Sequence, residues 1–581
     1  MKNDKKLLIF EAESAIIVVQ VVIFHEKEGR AMSQKMLQIR TLSSMAKVFP
    51  DKIWGEDSRE CRTLRGQEIS FQVAYRLSMI GRSLRDFNVA VKSPVAVKCY
   101  NVKTVPSLFP VYPAAYNDGY FVQRKPGIFP DPLIPMTEDR VKAVAKTWRA
   151  LWFSVKIDES FKAGSYPVEV TFTDLESGEV VAKTVYRIKV EDYALPKAKL
   201  HFTQWFHCDC IADAHRVPVL SEAHWELIEK YMKLAGEYGM NMILTPVVTP
   251  PLDTAVGGER PTVQLVAVEK TVNGYAYDCT LLRRYIRMAL AAGMTDFEIS
   301  HFFTQWGAGF APKVVAKVNG RTQRIFGWDT PADDPEYVKY LQGVVPVVIA
   351  TFEEEGVSRD KLWFHVSDEP HDDHLEQYAK AESILRPLIE GCHHIDALSS
   401  YDFYKNGLVG CPVVATDHIG SYLEANTPDL WCYYCCGQSN KLSNRYFAMP
   451  SARTRILGVQ MYKHNIAGFL HWGYNFYYTQ YSKAKIDPYA VTDAGAAYPS
   501  GDAFSVYPNG NDVAPSLRQK VFSNGLEDIR LLMLLEQKIG RDATLALLER
   551  VAGMEITFTE YPHGEQFFKD LYDAIFAELG K

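Results

Sequence analysis

The rhythm of apolar residues changes once along this chain, near Leu195-Pro196, and that change limits the fold more than any other feature. Before it, from about residue 42 to 192, segments such as Glu68-Ile-Ser-Phe-Gln-Val-Ala-Tyr75 and Tyr166-Pro-Val-Glu-Val-Thr-Phe172 alternate between Gly, Pro, Asn and Asp turns. A period of two broken by turn residues is the pattern of antiparallel strands buried on one side, and it predicts a β-sandwich whose last strand covers 181–190. Proline ends the pattern and restricts the residue before it, which places a linker at 195–196.

After the linker, short apolar runs alternate with amphipathic stretches, the pattern of parallel β/α units. Strands are expected at 200–206, 241–245, 297–302, 362–366, 395–400, 413–416, 430–434 and 468–472, with helices at 222–236, 335–355, 373–389, 452–464 and from about 526. Eight such strands predict a (β/α)8 TIM-like barrel. At 581 residues the chain is too long for one core, so the expected plan is multidomain β plus α/β. It comprises an N-terminal extension over 1–35, a β-sandwich domain over 36–196 and the barrel over 197–581.

The apolar run 14–24 (SAIIVVQVVIF) has the length of a signal-peptide core, but Glu11 and Glu13 precede it and no small-x-small site follows. It is also shorter than the roughly 20 residues that span a bilayer. The reading is an extended segment ahead of Met32 or Met36, a cytoplasmic protein and no membrane partner. With 64 basic against 70 acidic residues and no basic cluster, nucleic acid is not an expected partner either. Of the ten cysteines, Cys208, Cys210, Cys432, Cys435 and Cys436 fall inside apolar strand-like runs, and the cysteines are expected to be mostly reduced and buried. The rival reading is a soft-metal site joining Cys208, Cys210, Cys432 and Cys435.

In such barrels chemistry sits where strands end on the C-terminal face. The exits here offer Trp205 and His207, His301 and Trp306, Asp368 and Glu369, Tyr401 and Asp402, Asp417 and His418, then His471, Trp472, Tyr474 and Asn475. The stretch 475–515 is rich in Tyr and Pro and is expected to lie over the barrel mouth as a loop. An aromatic content of 12% suits sugars, whose CH faces pack on flat rings, although aromatics fill cores as well.

The run Trp363-Phe-His-Val-Ser-Asp-Glu-Pro370 sets two carboxylates side by side where the fourth strand stops. Two adjacent carboxylates repel, so one keeps its proton to higher pH, as a general acid near neutrality must. Glycosidic cleavage needs such an acid plus a group that stabilises charge at the anomeric carbon. The competing role is a helix cap, but Asp372 and Asp373 lie closer to the helix start. The seventh exit, Leu430-Trp-Cys-Tyr-Tyr-Cys-Cys-Gly-Gln438, carries no carboxylate to act as nucleophile. A retaining reaction would then take its nucleophile from a 2-acetamido group on the substrate.

The Ser-Asp-Glu-Pro of strand four, Gly468-Phe-Leu-His-Trp-Gly-Tyr-Asn475 of strand eight and Asn524-Gly-Leu-Glu-Asp528 together resemble glycoside hydrolase family 123. The resemblance covers about 200–579 well and the sandwich loosely. It implies a β-N-acetylgalactosaminidase with a C-terminal barrel, working through an oxazolinium intermediate as the family 20 hexosaminidases also do. Asp368 would orient the acetamido group and Glu369 would be the acid/base. The substrate would be an oligosaccharide or glycoconjugate, with no cofactor and no metal.

Position suggests His471 and Trp472 as a polar contact and a stacking floor, Tyr401 and Tyr434 as donors to the acetamido oxygen, and Asn241 and His301 as further substrate contacts. Trp363 reads as barrel core, His371 and His374 as a surface helix start, and Gly525-Leu-Glu-Asp528 as the start of the last helix. The other function classes are a non-catalytic carbohydrate-binding protein and a β-glycosidase for sugars without an acetamido group.

Overall fold

The computed structural model describes residues 36–78, 84–113, 116, 118–197 and 199–581. The apolar run at 14–24 lies outside the described residues. Two compact units share the chain. The first takes the residues up to Val102 together with Pro135–Tyr193, and the second takes Lys103–Ile134 and Ala194–Lys581.

In the first unit, antiparallel strands Leu37–Ser43, Glu68–Leu77, Arg149–Lys156 and Lys98–Ser107 lie side by side in that order. A second sheet runs Glu60–Arg65, Val180–Ala194, Gly164–Asp174, Leu84–Lys92, Arg140–Val144. Alternate residues point inward, and Phe71, Phe153, Phe172, Tyr186 and Ile188 are buried in one core between the sheets. Phe71 stacks on Tyr186 with ring centroids 4.2 Å apart. The stretch Lys103–Ile134 falls within the span 36–196 that was expected as one domain. Residues Lys103–Ile134 belong to the second unit, where Asp118 pairs with buried Arg453 at 2.7 Å and Asp131 with buried Arg518 at 2.8 Å.

The second unit is built on eight parallel strands, His201–Gln204, Met242–Thr245, Asp296–Ile299, Leu362–Phe364, His393–Leu398, Cys411–Ala415, Trp431–Tyr433 and Gly468–His471, with neighbours in sequence pairing around a nearly closed sheet. All eight overlap the expected windows. The eighth pairs with the first, and between first and second Asn241 makes the seam. Its backbone N–H donates to the Phe202 carbonyl at 3.2 Å, its Oδ1 accepts from the Phe202 N–H at 2.8 Å, and its Nδ2 donates to the Leu200 carbonyl at 2.9 Å. A side-chain amide thus replaces a missing stretch of backbone ladder. Asn241 is a closing residue: it precedes the second strand, at the end away from the strand exits, and does not line the pocket there as the expected substrate contact would.

Strands buried on both faces read as continuous apolar runs. Here Met242, Leu244, Trp363, Ile395, Val413, Trp431, Tyr433 and Leu470 fill the interior, while Phe202, Ile243, Phe297, Phe364, Val414, Tyr434 and Phe469 pack under the helices. Helices Glu222–Glu237, Thr280–Ala291, Pro335–Glu354, Leu375–Leu385 and Ser451–Lys463 cover the outside. The expected helix from about 526 in fact begins at Leu517 and runs to Ile539, so Gly525-Leu-Glu-Asp528 sits mid-helix rather than at a helix start. There Gly525 and Gly458 let two helices touch, because a Cβ on Gly458 would lie 1.9 Å from the Gly525 carbonyl oxygen. Asp528 accepts two hydrogen bonds from the Arg455 guanidinium, each at 2.7 Å.

Candidate active site

A pocket opens where the strands end. Trp205, Leu252, Asp253, Gln305, Trp306, Asp368, Glu369, Tyr433, Cys435, Cys436, Leu470, Trp472 and Tyr498 line it. Of the residues expected from sequence, the structure brings Asp368, Glu369 and Trp472 together in it, along with the strand-exit candidates Trp205 and Trp306. Both carboxylates follow the fourth strand, Leu362–Phe364, and stand directly before Pro370. They are not helix caps: the side chains of His371 and His374 cap the following turn reciprocally, and the helix starts at Leu375.

Glu369 has φ +42°, Trp306 +59° and Asp253 +39°, so three pocket residues hold the left-handed conformation that costs a non-glycine residue roughly 1–3 kcal/mol. Strain gathered at one pocket aims side chains that a relaxed loop would not. The loops are tied to each other as well: the Trp306 N–H donates to the Asp368 carbonyl at 2.9 Å, and Ser367 Oγ to the Thr304 carbonyl at 3.0 Å.

Burial pushes the Asp368 carboxyl well above the ordinary carboxylate range, and the neighbouring Glu369 charge adds to it. Burial also raises Glu369, against the hydrogen bond that Tyr433 Oη donates to Glu369 Oε1 at 2.6 Å. The pair therefore holds a proton at pH values where isolated carboxyls have lost theirs, and it titrates as a unit.

Beneath the pair lies a buried polar network. The His365 ring bridges Glu298 Oε1 at 2.7 Å and Asp396 Oδ1 at 2.9 Å. Trp205 Nε1 and Thr203 Oγ1 donate to Glu298 at 2.5 and 2.7 Å. Burial works against charging His365, but the hydrogen bonds to Asp396 and Glu298 outweigh it and hold the ring's pKa at about 9. Burial likewise opposes the Asp396 anion, and bonds from His365 and His394 overcome it, leaving that carboxyl well below its usual range.

His301, expected to touch substrate, is buried in this layer instead, stacked on His365 at 4.2 Å and edge-on to Trp205 at 5.3 Å. Among the described residues, His301, His365 and Asp396 form the one group of metal-ligating type with atoms within 4.8 Å. The ligating atoms of Cys208, Cys210, Cys432 and Cys435 do not come together in such a group, and all ten cysteines are free thiols.

Three more expected contacts lie elsewhere. Tyr434 points outward, edge-on to His471 and against Phe469, because it follows inward-facing Tyr433 by one residue and side chains alternate along a strand. His471 also points outward, its Nδ1 accepting from Arg445 Nη2 at 2.8 Å. Tyr401 precedes a short helix and packs against Tyr404 and Tyr422. The residues missed by sequence reasoning are Asp253, Gln305, Tyr433, Cys435, Cys436 and Tyr498. Tyr433 lies in a run that is apolar on both faces and gives no sign of which residues look inward, and Asp253 and Tyr498 come from loops without periodicity.

Trp472 lines the pocket and is fixed from behind, its Nε1 donating to Asp502 Oδ2 at 3.0 Å, with Tyr498 edge-on at 5.4 Å. Asp502 and Tyr498 belong to the stretch 475–515, which was expected to be a loop but also contains the hairpin Val506–Asn509 and Asp512–Pro515. A wider cleft at the opposite end of the strands offers no comparable floor. Its Trp363 and Trp431 are already faced by His393 at 3.9 Å and His201 at 5.4 Å.

The profile of the glycoside hydrolase 123 catalytic domain matches residues 205–535. Among solved structures, a family 123 glycoside hydrolase from Clostridium perfringens, studied for glycolipid glycan hydrolysis, superposes with a TM-score of 0.70. It is 14% identical, and the match covers 94% of this chain and 98% of that one. A putative β-galactosidase from Bacteroides fragilis gives a TM-score of 0.26 at 10% identity, covering 77% of this chain and 60% of that one, too little to bear on the fold. No curated protein matches the sequence. Among the described residues no helix is long and apolar enough to cross a membrane. The catalytic-domain match spans more than half of the chain and contains the carboxylate pair with its pocket, and on that ground the chain belongs to glycoside hydrolase family 123, a family of enzymes that hydrolyse glycans.

Proposed function

We propose that this enzyme, on a (β/α)8 barrel, releases terminal β-linked N-acetylgalactosamine with retention, the substrate's own acetamido oxygen attacking the anomeric carbon. The observation that carries the reading is the adjacent pair itself: two carboxyls of raised proton affinity in one aromatic pocket, with hydroxyl and thiol groups rather than a carboxylate at the seventh exit. Glu369 gives its proton to the leaving oxygen. Asp368, as the anion, accepts the acetamido N–H and balances the charge that grows as the oxazolinium ring closes. In the free enzyme the pair shares a proton, and an amide N–H arriving at Asp368 favours the anion there, which leaves the proton on Glu369. Water activated by Glu369 then opens the ring and restores the acid. Trp472 and Trp205 supply flat faces for the sugar.

The test is hydrolysis of an aryl N-acetyl-β-galactosaminide by the parent enzyme, Asp368→Asn and Glu369→Gln, with the gluco epimer and a plain β-galactoside alongside. General acid catalysis is worth about 10²–10⁴-fold, so both variants should collapse on the acetamido sugar. Equal turnover of the plain galactoside would refute substrate assistance, and activity indifferent to both substitutions would refute the site.

A further inference from the structure

Beside the pair stands a wall that the chemistry above does not use. Gln305, only 4% exposed, anchors its Nε2 on the Thr254 carbonyl at 3.1 Å, and its Oε1 is buried in the pocket lining without a partner. The amide cannot be turned round, because that would set Oε1 against the Thr254 carbonyl oxygen. Next to Thr254 is Asp253, half-buried and also in the lining. Its Oδ1 accepts from Tyr498 Oη at 3.1 Å and its Oδ2 from the Tyr481 N–H at 3.2 Å.

A carboxylate can accept about four hydrogen bonds, so two acceptor positions on Asp253 stay open. The loop is built rather than loose. Asp253 holds its left-handed backbone while Ser482 Oγ donates to its carbonyl at 2.7 Å and the Ala255 N–H donates to Tyr481 at 3.0 Å. An unpaired buried acceptor costs free energy until a donor arrives.

We propose that Asp253 and Gln305 form the specificity wall of the sugar site, each accepting a hydrogen bond from a ring hydroxyl remote from the reacting carbon. With C1 at Glu369 and the C2 acetamido at Asp368, the hydroxyls left to read are those on C3, C4 and C6. A wall made of acceptors fits hydroxyl donors and rejects an analogue that lacks them, because the acceptors would then be sealed in unpaired. The assignment of C1 and C2 rests on the proposed acetamido chemistry, but the wall's need for donors does not.

The experiment measures kcat/KM for the parent, Asp253→Ala, Asp253→Asn and Gln305→Leu on an aryl N-acetyl-β-galactosaminide and its 3-, 4- and 6-deoxy analogues. Asp253→Asn preserves shape and one acceptor oxygen, and covers the case in which the alanine variant fails to fold. Each substitution should cost about 10- to 100-fold on the full substrate. On the deoxy substrate lacking the hydroxyl it reads, the same substitution should cost almost nothing further, with Asp253 and Gln305 coupled to different positions. Losses of one size on the full substrate and on all three deoxy analogues would overturn the wall.

If the parent turns over no acetamido glycoside, the proposed reaction fails by itself, and calorimetric binding of the deoxy monosaccharide series to the same proteins decides the wall. Hydroxyl-specific coupling in binding supports it, and its absence there overturns it.

Discussion

Replacing Tyr433 by Phe removes one hydroxyl from the site and little else. The side chain is 4% exposed, closes the seventh strand and reaches Glu369 Oε1 at 2.6 Å, while its ring packs in the barrel interior where phenylalanine fits equally well. The bond stabilises the Glu369 carboxylate, and burial, which raises its proton affinity most, stays in place. A hydrogen bond to a charged group is worth about 1.5–3 kcal/mol, and about 1.4 kcal/mol corresponds to one pKa unit. Loss of the hydroxyl should therefore raise the step that deprotonates Glu369 by about 1–2 units. Because Glu369 acts as the acid, that step is the alkaline limb of kcat/KM against pH, and the limb should move upward. Because the pair titrates as a unit, the acid limb should move in the same direction. An alkaline limb that stays put or shifts downward in Tyr433→Phe would refute either the bond or the assignment of Glu369 as the acid.

Asn241→Ala should destabilise the barrel by roughly 1–3 kcal/mol in chemical denaturation while leaving kcat/KM of the folded enzyme within a few-fold, since its amide closes the seam between the first two strands. A selective rise in KM would instead make it a substrate contact. Gly458→Ala places a methyl 1.9 Å from the Gly525 carbonyl oxygen and should cost about 1–3 kcal/mol or more, read as a lower denaturation midpoint. His365 has a folded-state pKa of about 9, above the roughly 6.5 of an unfolded histidine. The stability it contributes, about 3 kcal/mol, is fully present below the unfolded value and is lost as pH rises through 9. The parent's resistance to denaturation should therefore fall as pH rises across that window, and His365→Gln should flatten the slope. An equal slope in both proteins would remove the buried imidazolium.

What the sequence disclosed and what it concealed follow from how many faces of each element are buried. All eight barrel strands were legible because each is an apolar run bounded by polar or turn residues, and the Asp368-Glu369 pair stood out because two acids at such a boundary are costly without a use. Within a run the signal fails. Trp431-Cys-Tyr-Tyr434 is apolar on both faces, so nothing in it says that Tyr433 looks into the barrel and Tyr434 out, and the expected tyrosine was one residue off. The same ambiguity misplaced His471, which shares the outward face with Phe469 while Leu470 and Trp472 line the pocket. Local composition also mistook internal polar residues for contacts. Asn241 and His301 sit at strand boundaries as ligand-binding residues do, yet one stitches a seam and the other lies on His365. The converse error concerns Asp253 and Gln305, which follow no period because their positions are set by distant partners, Tyr498 and Tyr481 for one and the Thr254 carbonyl for the other. A polar side chain becomes a ligand-reading group when its surroundings leave one of its hydrogen-bonding positions open, and that property belongs to the folded pocket rather than to any stretch of sequence.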